Sequence, residues 1–363
     1  MRVRGTIFRR RVLVVIKPIK MERHKLATEA VMHGPVALFV LRLAVAVSIA
    51  LGLLAAPPAG AQATNWPNKP VRFVVPFPPG GSNDQLARLL GARLGEITGQ
   101  TFVVDNRQGA SGAIGTALVA KAPADGYTYL FAFDTHAINP ALYRNLTYDT
   151  LRDFTPVMLI GTAPQCIAAN PSSRYKSMSE VIRAAKAKPD SVNFGSTGSG
   201  TLGHLMMMLL QKEGGFKAVH VPYKGFAPMA QDVMGGQLDM GLGTVAVLSP
   251  FVASGRLRGL AVSSETRSSA MPDVPTLSEQ GFPWFSGLSW WGIFAPANTP
   301  RPVVMKVHAE LAKIINAPDL RKRLSEQLGM MVVTSSPEAL QKFVVSEAER
   351  WGKVVRENQI QAD

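Results

Sequence analysis

The sequence predicts an α/β protein built on an open, mainly parallel sheet. Short β-rich apolar runs alternate with helical patterns along most of the chain, and glycine-rich turns separate them. Of the 363 residues, 47% are hydrophobic, which is enough for the cores of about two domains. The single cysteine, Cys166, excludes an internal disulfide and any zinc site built on several thiolates.

The N-terminal segment carries much of the positive charge and a long apolar run. Residues 1–63 contain ten Lys and Arg residues and two acids, which leaves +6 of the total +14 on the remaining 300 residues. Those 300 residues have interspersed charges, which is not the pattern of a nucleic-acid interface. The apolar run at 36–56 is interrupted by Arg42, so its uncharged part is shorter than the roughly 20 residues of a retained anchor.

An export signal is the interpretation that this leader favours. Small residues follow the apolar run, and signal peptidase accepts only short side chains, so we expect cleavage after Ala61 or Ala63. Residues 1–63 would then be a removed leader, with translation beginning at Met21 or Met32. The mature protein would start near Thr64 and be periplasmic.

The first elements after the leader predict strands alternating with helices. A helix is expected over 83–98, because its leucines recur on one face. Strands are expected over 71–76, 101–105 and 127–133, and a helix of small residues over 111–121.

The middle of the chain continues the same alternation, and the C-terminal part is mostly helical. Strands are predicted over 154–161, 165–169, 192–195, 219–222, 238–242 and 257–262. Helices are predicted over 177–186, 201–213, 228–234 and 245–253. After Trp290, one helix opens at Thr299-Pro300 and the last opens at Ser336, a serine cap followed by proline in the first turn.

Two glycine-rich turns are the candidate binding features. The first turn, residues 76–84, and the second turn, residues 195–201, each lie between a strand and a helix. Each places bare backbone N–H groups, short hydroxyls and a helix N-terminus around one spot, which can bind an anion without a cationic side chain. Either turn alone could be an ordinary helix cap. Two turns of the same chemistry in two halves of the chain favour a shared ligand.

Patterns typical of enzymes fail on closer reading. Residues 198–203 match G-x-G-x-x-G, but the strand that follows at 219–223 ends without the acid that would hold a ribose. No phosphate loop or strict G-x-S-x-G elbow occurs, and the histidines are scattered without zinc-ligand spacing. Asp84 and Asp239 could be acid/base partners, but a first-turn acid and a loop support are the simpler interpretations.

Ten segments in order resemble one family, the solute-binding receptors of tripartite tricarboxylate transporters, also called the Bug (Bordetella uptake gene) family. The resemblance covers the chain from Trp66 to the C-terminus. Its segments are WPNKP at 66–70, VPFPPGG at 75–81 with Asp84, VVDNR at 103–107, DGYT at 125–128, AINP at 137–140, FGSTGSG at 194–200, HVPYKG at 220–225, GGQLD at 235–239, PDVPT at 272–276 and APANTP at 295–300.

The resemblance implies a type II-like, two-lobed periplasmic-binding-protein fold, with two open mainly parallel sheets flanked by helices and joined by crossing hinge strands. It implies one lobe of residues 64–164 plus 291–363 and a second lobe of residues 165–290. Ligand contacts carried over from the family fall on Phe77, Pro79, Gly81, Ser82 and Asp84 in the first lobe, on Ser196, Thr197, Gly198, Ser199, Gly200 and Thr201 in the second, and on Thr135, His136 and Asp239 at the distal end.

The implied function is capture of a small carboxylate between the lobes and its delivery to a membrane permease, with no catalytic step, cofactor, metal or nucleic acid. Closure on the ligand would create the form that the permease recognises, and we expect a monomer. Two alternatives stay open at this stage. An α/β enzyme would require nucleotide binding or turnover, and a sensory receptor would present the closed form to a signalling protein. The sequence does not identify the carboxylate; positions such as Phe226, Gly243 and Thr244 vary among family members with different ligands.

Overall fold

The computed structural model describes residues 66–283 and 285–360, so the predicted leader and its cleavage site lie outside the described residues. The strands are β1 (Val71–Val75), β2 (Phe102–Asn106), β3 (Thr128–Ala132), β4 (Phe154–Ala169), β5 (Asn193–Ser196), β6 (Val219–Pro222), β7 (Met240–Thr244), β8 (Arg258–Val262), β9 (Leu288–Pro296) and β10 (Met331–Val332).

The helices fill the connections between these strands and the C-terminal part. They are α1 (Ser82–Thr98), α2 (Ala113–Ala120), α3 (Thr135–Leu142), α4 (Met178–Ala187), α5 (Leu202–Gly214), α6 (Phe226–Met234), α7 (Val245–Ala253), α8 (Arg301–Ile315), α9 (Pro318–Lys322) and α10 (Pro337–Glu357). Within the described ranges, no helix is both long and apolar enough to cross a membrane.

The strands follow the order β2-β1-β3-β9-β4-β7-β5-β6, and β8 and β10 also pair with β4. The outer strands pair in parallel, β1 with β2 and β3, and β5 with β6 and β7. Every pairing of β4 and of β9 is antiparallel. The parallel alternation predicted from the sequence therefore describes the two outer groups, and the middle of the sheet is mixed. The reason is that the chain leaves one group on β4 and returns to it on β9, so these strands run in opposite directions.

Strand β4 is one strand of 16 residues, whereas the sequence predicts two separate strands over the same region. Its first part pairs with β9 as far as Pro164, and its last part pairs with β7 from Gln165 onward. The prolines and Gly161 break the sequence pattern, and the register of the β4–β9 ladder shifts near Pro156 and Gly161. This strand therefore crosses from one group of strands to the other.

Each group of strands has its own hydrophobic core. Around β1, β3 and β9, the core includes the large aromatic side chains Phe73, Phe131 and Trp291, and the leucines of α1 pack against them. Around β5 and β7, Phe194 and Met206 are fully buried in a second cluster. The leucine face predicted for 83–98 is thus the buried face of α1.

One helix cap follows the sequence, and one helix does not. Ser336 accepts a hydrogen bond from the N–H of Ala339, which confirms the predicted serine cap of the last helix. Helix α3 was not predicted, because Pro140 interrupts its pattern; the structure nevertheless has a helix there with Pro140 inside it.

Candidate ligand-binding cleft

The first turn is held in place by the carboxylate of Asp84. Strand β1 ends at Val75 and α1 begins at Ser82, so Asp84 lies in the first turn of the helix. Its oxygens accept hydrogen bonds from Gly80 N at 3.0 Å and from Asn106 Nδ2 at 3.0 Å, and they pair with Arg88 at 2.9 Å. Asp84 therefore braces the turn from the helix side and is not among the residues that line the cavity described below.

Replacing Asp84 with asparagine is expected to lower the free energy of unfolding by about 1–3 kcal/mol at neutral pH, because charged hydrogen bonds are lost. Burial alone would raise the pKa of Asp84, but the hydrogen bonds from Arg88, Gly80 and Asn106 outweigh burial and lower it below 3.8. Because the pKa of Asp84 is lower in the folded than in the unfolded protein, its carboxylate stabilises the fold at pH values above the unfolded-state pKa. That stabilisation is lost as the pH falls through the folded-state pKa.

Urea unfolding of the wild type and Asp84→Asn, at neutral pH and at a pH below the lowered pKa, checks this prediction. The stability difference between the two proteins should narrow in acid, since the wild-type carboxyl is then protonated. If the unfolding free energies of the wild type and Asp84→Asn differ equally at both pH values, the charge of Asp84 does not stabilise the turn.

The second turn satisfies much of its polar chemistry internally. Strand β5 ends at Ser196, and α5 begins at Leu202. The hydroxyls of Ser196 and Thr201 donate to the carbonyl oxygen of Gly198 at 3.0 and 2.7 Å. The Gly200 N–H donates to His204 Nδ1 at 3.1 Å. Since Gly198 and Gly200 have φ of 142° and 75°, a residue with a side chain would be strained at either position.

Histidine rings lie directly beside this turn. Ser196 Oγ lies 2.7 Å from His220 Nε2, and the His220 ring stacks on the His204 ring with centroids 3.9 Å apart and planes 10° apart. The Phe194 ring stacks against His220 at 5.0 Å. The histidines are thus part of the support of the second turn.

An inner cavity of about 50 Å³ lies between the two turns. This exceeds the roughly 10–15 Å³ that one buried water needs on the same kind of measure. Its walls are Phe77, Pro78, Gly81, Ser82, Asn83, Phe133, Gln165, Thr197, Gly225, Phe226, Gly243, Thr244 and Val247. No charged side chain of the described residues is in this wall.

Three helices begin at the inner cavity, and their first turns supply part of its wall. They are α1 after its cap Gly81, α6 after its cap Gly225, and α7 after its cap Thr244. Helix N-termini carry unpaired N–H groups and a partial positive charge, so they stabilise an anion. The cavity can therefore accept a carboxylate although its described lining contains no cation.

Two residues in the wall of the inner cavity each have a buried side-chain oxygen without a partner. Asn83 Oδ1 and Thr244 Oγ1 find no hydrogen bond among the described residues, and both residues are 3% exposed. A buried polar atom left unpaired costs free energy, so each of these residues carries a hydrogen bond that the described protein contacts leave unmade.

A second, outer cavity of about 500 Å³ lies beyond the inner one. Phe77, Pro78, Thr197 and Gly225 line both cavities, so they form the partition between them. A Cβ on Gly225 would lie 2.9 Å from Pro78 Cγ, which shows how closely the two sides approach. Beside the outer cavity, Ser111 Oγ donates to the carbonyl oxygen of Ser199 at 2.5 Å.

The structure brings some of the sequence-predicted site residues together and leaves others apart. Those in the wall of the inner cavity are Phe77, Gly81, Ser82 and Thr197, and those in the wall of the outer cavity are Phe77, Thr197, Gly198 and Ser199. Neither wall includes Pro79, Asp84, Thr135, His136, Ser196, Gly200, Thr201 or Asp239. Several of this last group support the turns or the core.

For His136 and Asp239, the sequence did not distinguish a ligand contact from a residue that supports the structure. His136 lies in the core with ring centroids 5.0 Å from Phe154 and 4.8 Å from Phe294, and burial lowers its pKa to about 3. Asp239 accepts a hydrogen bond from the N–H of Asn193 at 2.9 Å, and the Asp239 N–H donates to Asn193 Oδ1. Asp239 therefore ties the start of β7 to β5, as expected of a loop support.

The wall also contains residues that the sequence analysis did not select as ligand contacts. They are Pro78, Asn83, Phe133, Gln165, Gly225, Phe226, Gly243, Thr244 and Val247. The signal that could have found several of them is the strand-to-helix junction, since α6 and α7 begin there as α1 does. Gln165 had no such signal, because Thr155 and Thr162 are also polar residues of β4 and the pattern does not single it out.

The fold and the cleft define a two-lobed periplasmic binding protein. A solved structure of the R. palustris protein Rpa4515 with adipate is 35% identical to this chain, with a TM-score of 0.79, and the match covers 82% of this chain and 100% of that one. The chain belongs to the tripartite tricarboxylate transporter family of receptors, whose family model matches residues 86–360.

Curated relatives agree with this assignment. A protein of Pseudomonas sp. strain P51, the UPF0065 protein in the tcbD-tcbE intergenic region, is 38% identical over 323 residues, 89% of this chain and 96% of that protein. BugT of Bordetella pertussis is 34% identical over 315 residues, 86% of this chain and 95% of BugT. The resemblance to the Bug receptors inferred from the ten segments is thereby confirmed.

Proposed function

We propose that this protein is a periplasmic receptor that captures a small organic carboxylate in the inner cavity and presents its closed form to a membrane permease. The observation that carries the proposal is the convergence of three helix N-termini on a cavity whose described lining is uncharged. The adipate in the 35% identical relative supports a carboxylate ligand. No chemical step is required of the protein.

The proposed ligand contacts are the residues that line the inner cavity, together with the two turns. Asp84, Ser196 and Thr201 would act by holding the turns in shape, because their polar groups are used in contacts within or behind the turns. Thr135, His136 and Asp239 would act at a distance from the ligand.

Closure of two lobes is the proposed mechanism. We place the lobes at 64–164 plus 291–363 and at 165–290, because β4 changes its pairing partner between Pro164 and Gln165. A ligand in the cleft contacts both lobes only in the closed form, in which Pro78 lies against Gly225. Binding therefore favours the closed form, because the ligand makes contacts there that the open form lacks.

A thermal-shift screen of organic acids tests this function with mature protein starting at Thr64. At one hundred times its Kd, a ligand stabilises the native state by about 2.7 kcal/mol, which raises the Tm by several degrees. We expect at least one short carboxylate to do so, and the corresponding neutral amide to have little effect, because the helix N-termini favour an anion. A panel of aliphatic, aromatic and hydroxylated acids that leaves the Tm unchanged would overturn the proposal.

A further inference from the structure

A buried chain of hydrogen bonds connects the wall of the inner cavity to the carboxyl group of Asp134. Gln165, a residue of that wall, donates from Nε2 to Ser289 Oγ at 2.7 Å, and Ser289 Oγ donates to Asp134 Oδ2 at 2.6 Å. All three residues are at most 5% exposed. This chain, the relay, runs from β4 through β9 to the residue that precedes α3.

The relay has a single direction while Asp134 is ionised. A carboxylate can only accept, so the one proton of the Ser289 hydroxyl is used on Asp134, and Ser289 accepts from the NH2 end of the Gln165 amide. The other end, Gln165 Oε1, then faces away from Ser289. Within the described residues Oε1 has no hydrogen-bond partner, and it is not one of the unpartnered atoms that are fully enclosed, so a ligand can reach it.

Protonation of Asp134 permits the opposite direction. The carboxylic acid can donate to Ser289 Oγ, and the Ser289 proton is then available to Gln165. Gln165 accepts it on Oε1 once its amide has turned over, which brings the NH2 end to the reachable side. The wall then presents a donor in place of an acceptor, and a buried negative charge has been removed. Both changes favour an anion in the inner cavity.

The surroundings of Asp134 favour its protonated form. Its second oxygen, Oδ1, is enclosed and has no partner in the described part of the chain, and a buried carboxylate that lacks donors is costly in its ionised form. Burial therefore raises the pKa of Asp134 to about 7. The Ser289 hydroxyl and the Thr135 N–H oppose this effect, and the Glu347 carboxylate of α10 adds to it.

The other titratable groups around the relay do not replace Asp134 as the proton site. Burial lowers the pKa of His136, in the first turn of α3, to about 3, so this ring stays neutral. Glu347 has its own partners on α10, Trp351 Nε1 at 3.0 Å and Arg350 at 3.7 Å. Neither Arg350 nor any other cation of the described residues pairs with Asp134.

We propose that Asp134 is a positioning residue for the inner cavity: through Ser289 it sets which end of the Gln165 amide faces the ligand, so that capture of a carboxylate takes up one proton at Asp134. This inference rests on the proposed function and adds proton linkage to it. The proton comes from the solvent and binds a carboxyl oxygen of Asp134. Affinity is then complete at a pH below the pKa of Asp134 in the free protein and falls as the pH rises above it.

Calorimetric titration at pH 6.5 and pH 8.5 tests the inference, with adipate, malate and benzoate as probes. Carboxylic acids of this kind are ionised at both pH values, so a change in Kd reports on the protein. For a probe that binds, we expect the Kd to rise about tenfold from pH 6.5 to pH 8.5. Heats measured at pH 8 in phosphate and in Tris, buffers of different ionisation enthalpy, should show uptake of close to one proton per bound acid.

The outcomes separate this inference from the proposed function. Equal Kd values at the two pH values, or tighter binding at pH 8.5, would overturn the proton linkage and leave the proposed function standing. Binding of no carboxylic acid at either pH would overturn both.

Asp134→Asn and Ser289→Ala distinguish the relay from a general effect on the fold. Asparagine is neutral and can donate to Ser289 at either pH, so the ratio of the two Kd values should fall to about twofold or less and the proton uptake should disappear. Ser289→Ala keeps the acid but disconnects it from Gln165, and it should reduce the ratio to about threefold or less. A residue that only supports the structure would weaken binding equally at both pH values. An unchanged ratio in either variant would therefore overturn the assignment.

Asp105→Asn is the matched control for the loss of a carboxylate. Asp105 lies on β2 and is paired with Arg72 and Arg107, whose hydrogen bonds outweigh burial and lower its pKa below 3.8. It therefore stays ionised from pH 6.5 to pH 8.5, and its replacement should leave the ratio of the two Kd values unchanged. A ratio that falls in this control as far as in Asp134→Asn would contradict a specific role of Asp134.

Discussion

Gly225→Ala is expected to weaken ligand binding about tenfold or more while the protein remains folded. Gly225 precedes α6 and has φ of 109°, and a Cβ there would lie 2.9 Å from Pro78 Cγ across the partition between the two cavities. The proline ring cannot swing aside as a flexible side chain can, so the first turn and the start of α6 must move apart. Contacts made only in the closed form are then lost, and affinity falls with them.

Gly236→Ala is the matched control for this prediction. Gly236 also has positive φ, at 72°, but a Cβ there would meet nothing within 4 Å. Gly236→Ala should strain the backbone by about 1–2 kcal/mol. Gly225→Ala should strain it by about 1–3 kcal/mol, because φ of 109° with ψ of −178° is a conformation essentially restricted to glycine. Only Gly225→Ala also obstructs closure. Titration with a ligand found in the screen, together with urea unfolding of both variants, makes the comparison. Equal affinities for the two variants would show that the Pro78–Gly225 approach is not part of the bound state.

The strand-to-helix junctions were the part of the structure most accessible from sequence. The turn at 76–84 and the turn at 195–201 are each marked by glycines with a strand before and a helix after, and both line cavities of the cleft. These junctions can be predicted from the sequence because tight turns and helix starts depend on local backbone geometry. Only certain residue types, such as glycine and serine, suit that geometry.

The contacts that close the site depend on distant parts of the chain and had no local signal. Gln165 reaches the cavity only because β4 continues through Pro164 into the second group of strands. Gln165 Nε2 donates to Ser289 Oγ, and Ser289 Oγ donates to Asp134 Oδ2; these two residues are 124 and 31 positions away from Gln165 in the sequence. His136 was misleading for the related reason that a histidine beside a polar segment can equally be buried among aromatic rings, and here Phe154 and Phe294 surround it.

Trp290→Ala and Trp291→Ala are each expected to lower the free energy of unfolding by about 3–5 kcal/mol, measured by urea unfolding. Both tryptophans are fully buried neighbours on β9, and removal of either indole leaves a large void. Because successive side chains of a strand point to opposite faces, the two voids open in different cores. Trp290 packs with Phe343 of α10 at 5.6 Å, whereas Trp291 packs with Phe133 at 5.5 Å.

Only the Trp291 side of the strand leads to the ligand cavity. Phe133 contacts Phe77 at 5.6 Å, and both of these rings line the inner cavity, so Trp291 holds part of its apolar wall in place. The milder variants Trp290→Phe and Trp291→Phe, which keep an aromatic ring, allow binding to be measured on folded protein. We expect Trp291→Phe to weaken ligand binding several-fold through Phe133, and Trp290→Phe to leave the Kd within about twofold of the wild type. If the two variants change the Kd equally, the aromatic contacts from Trp291 to Phe77 do not shape the site, and the effect of either tryptophan on binding is only its effect on stability.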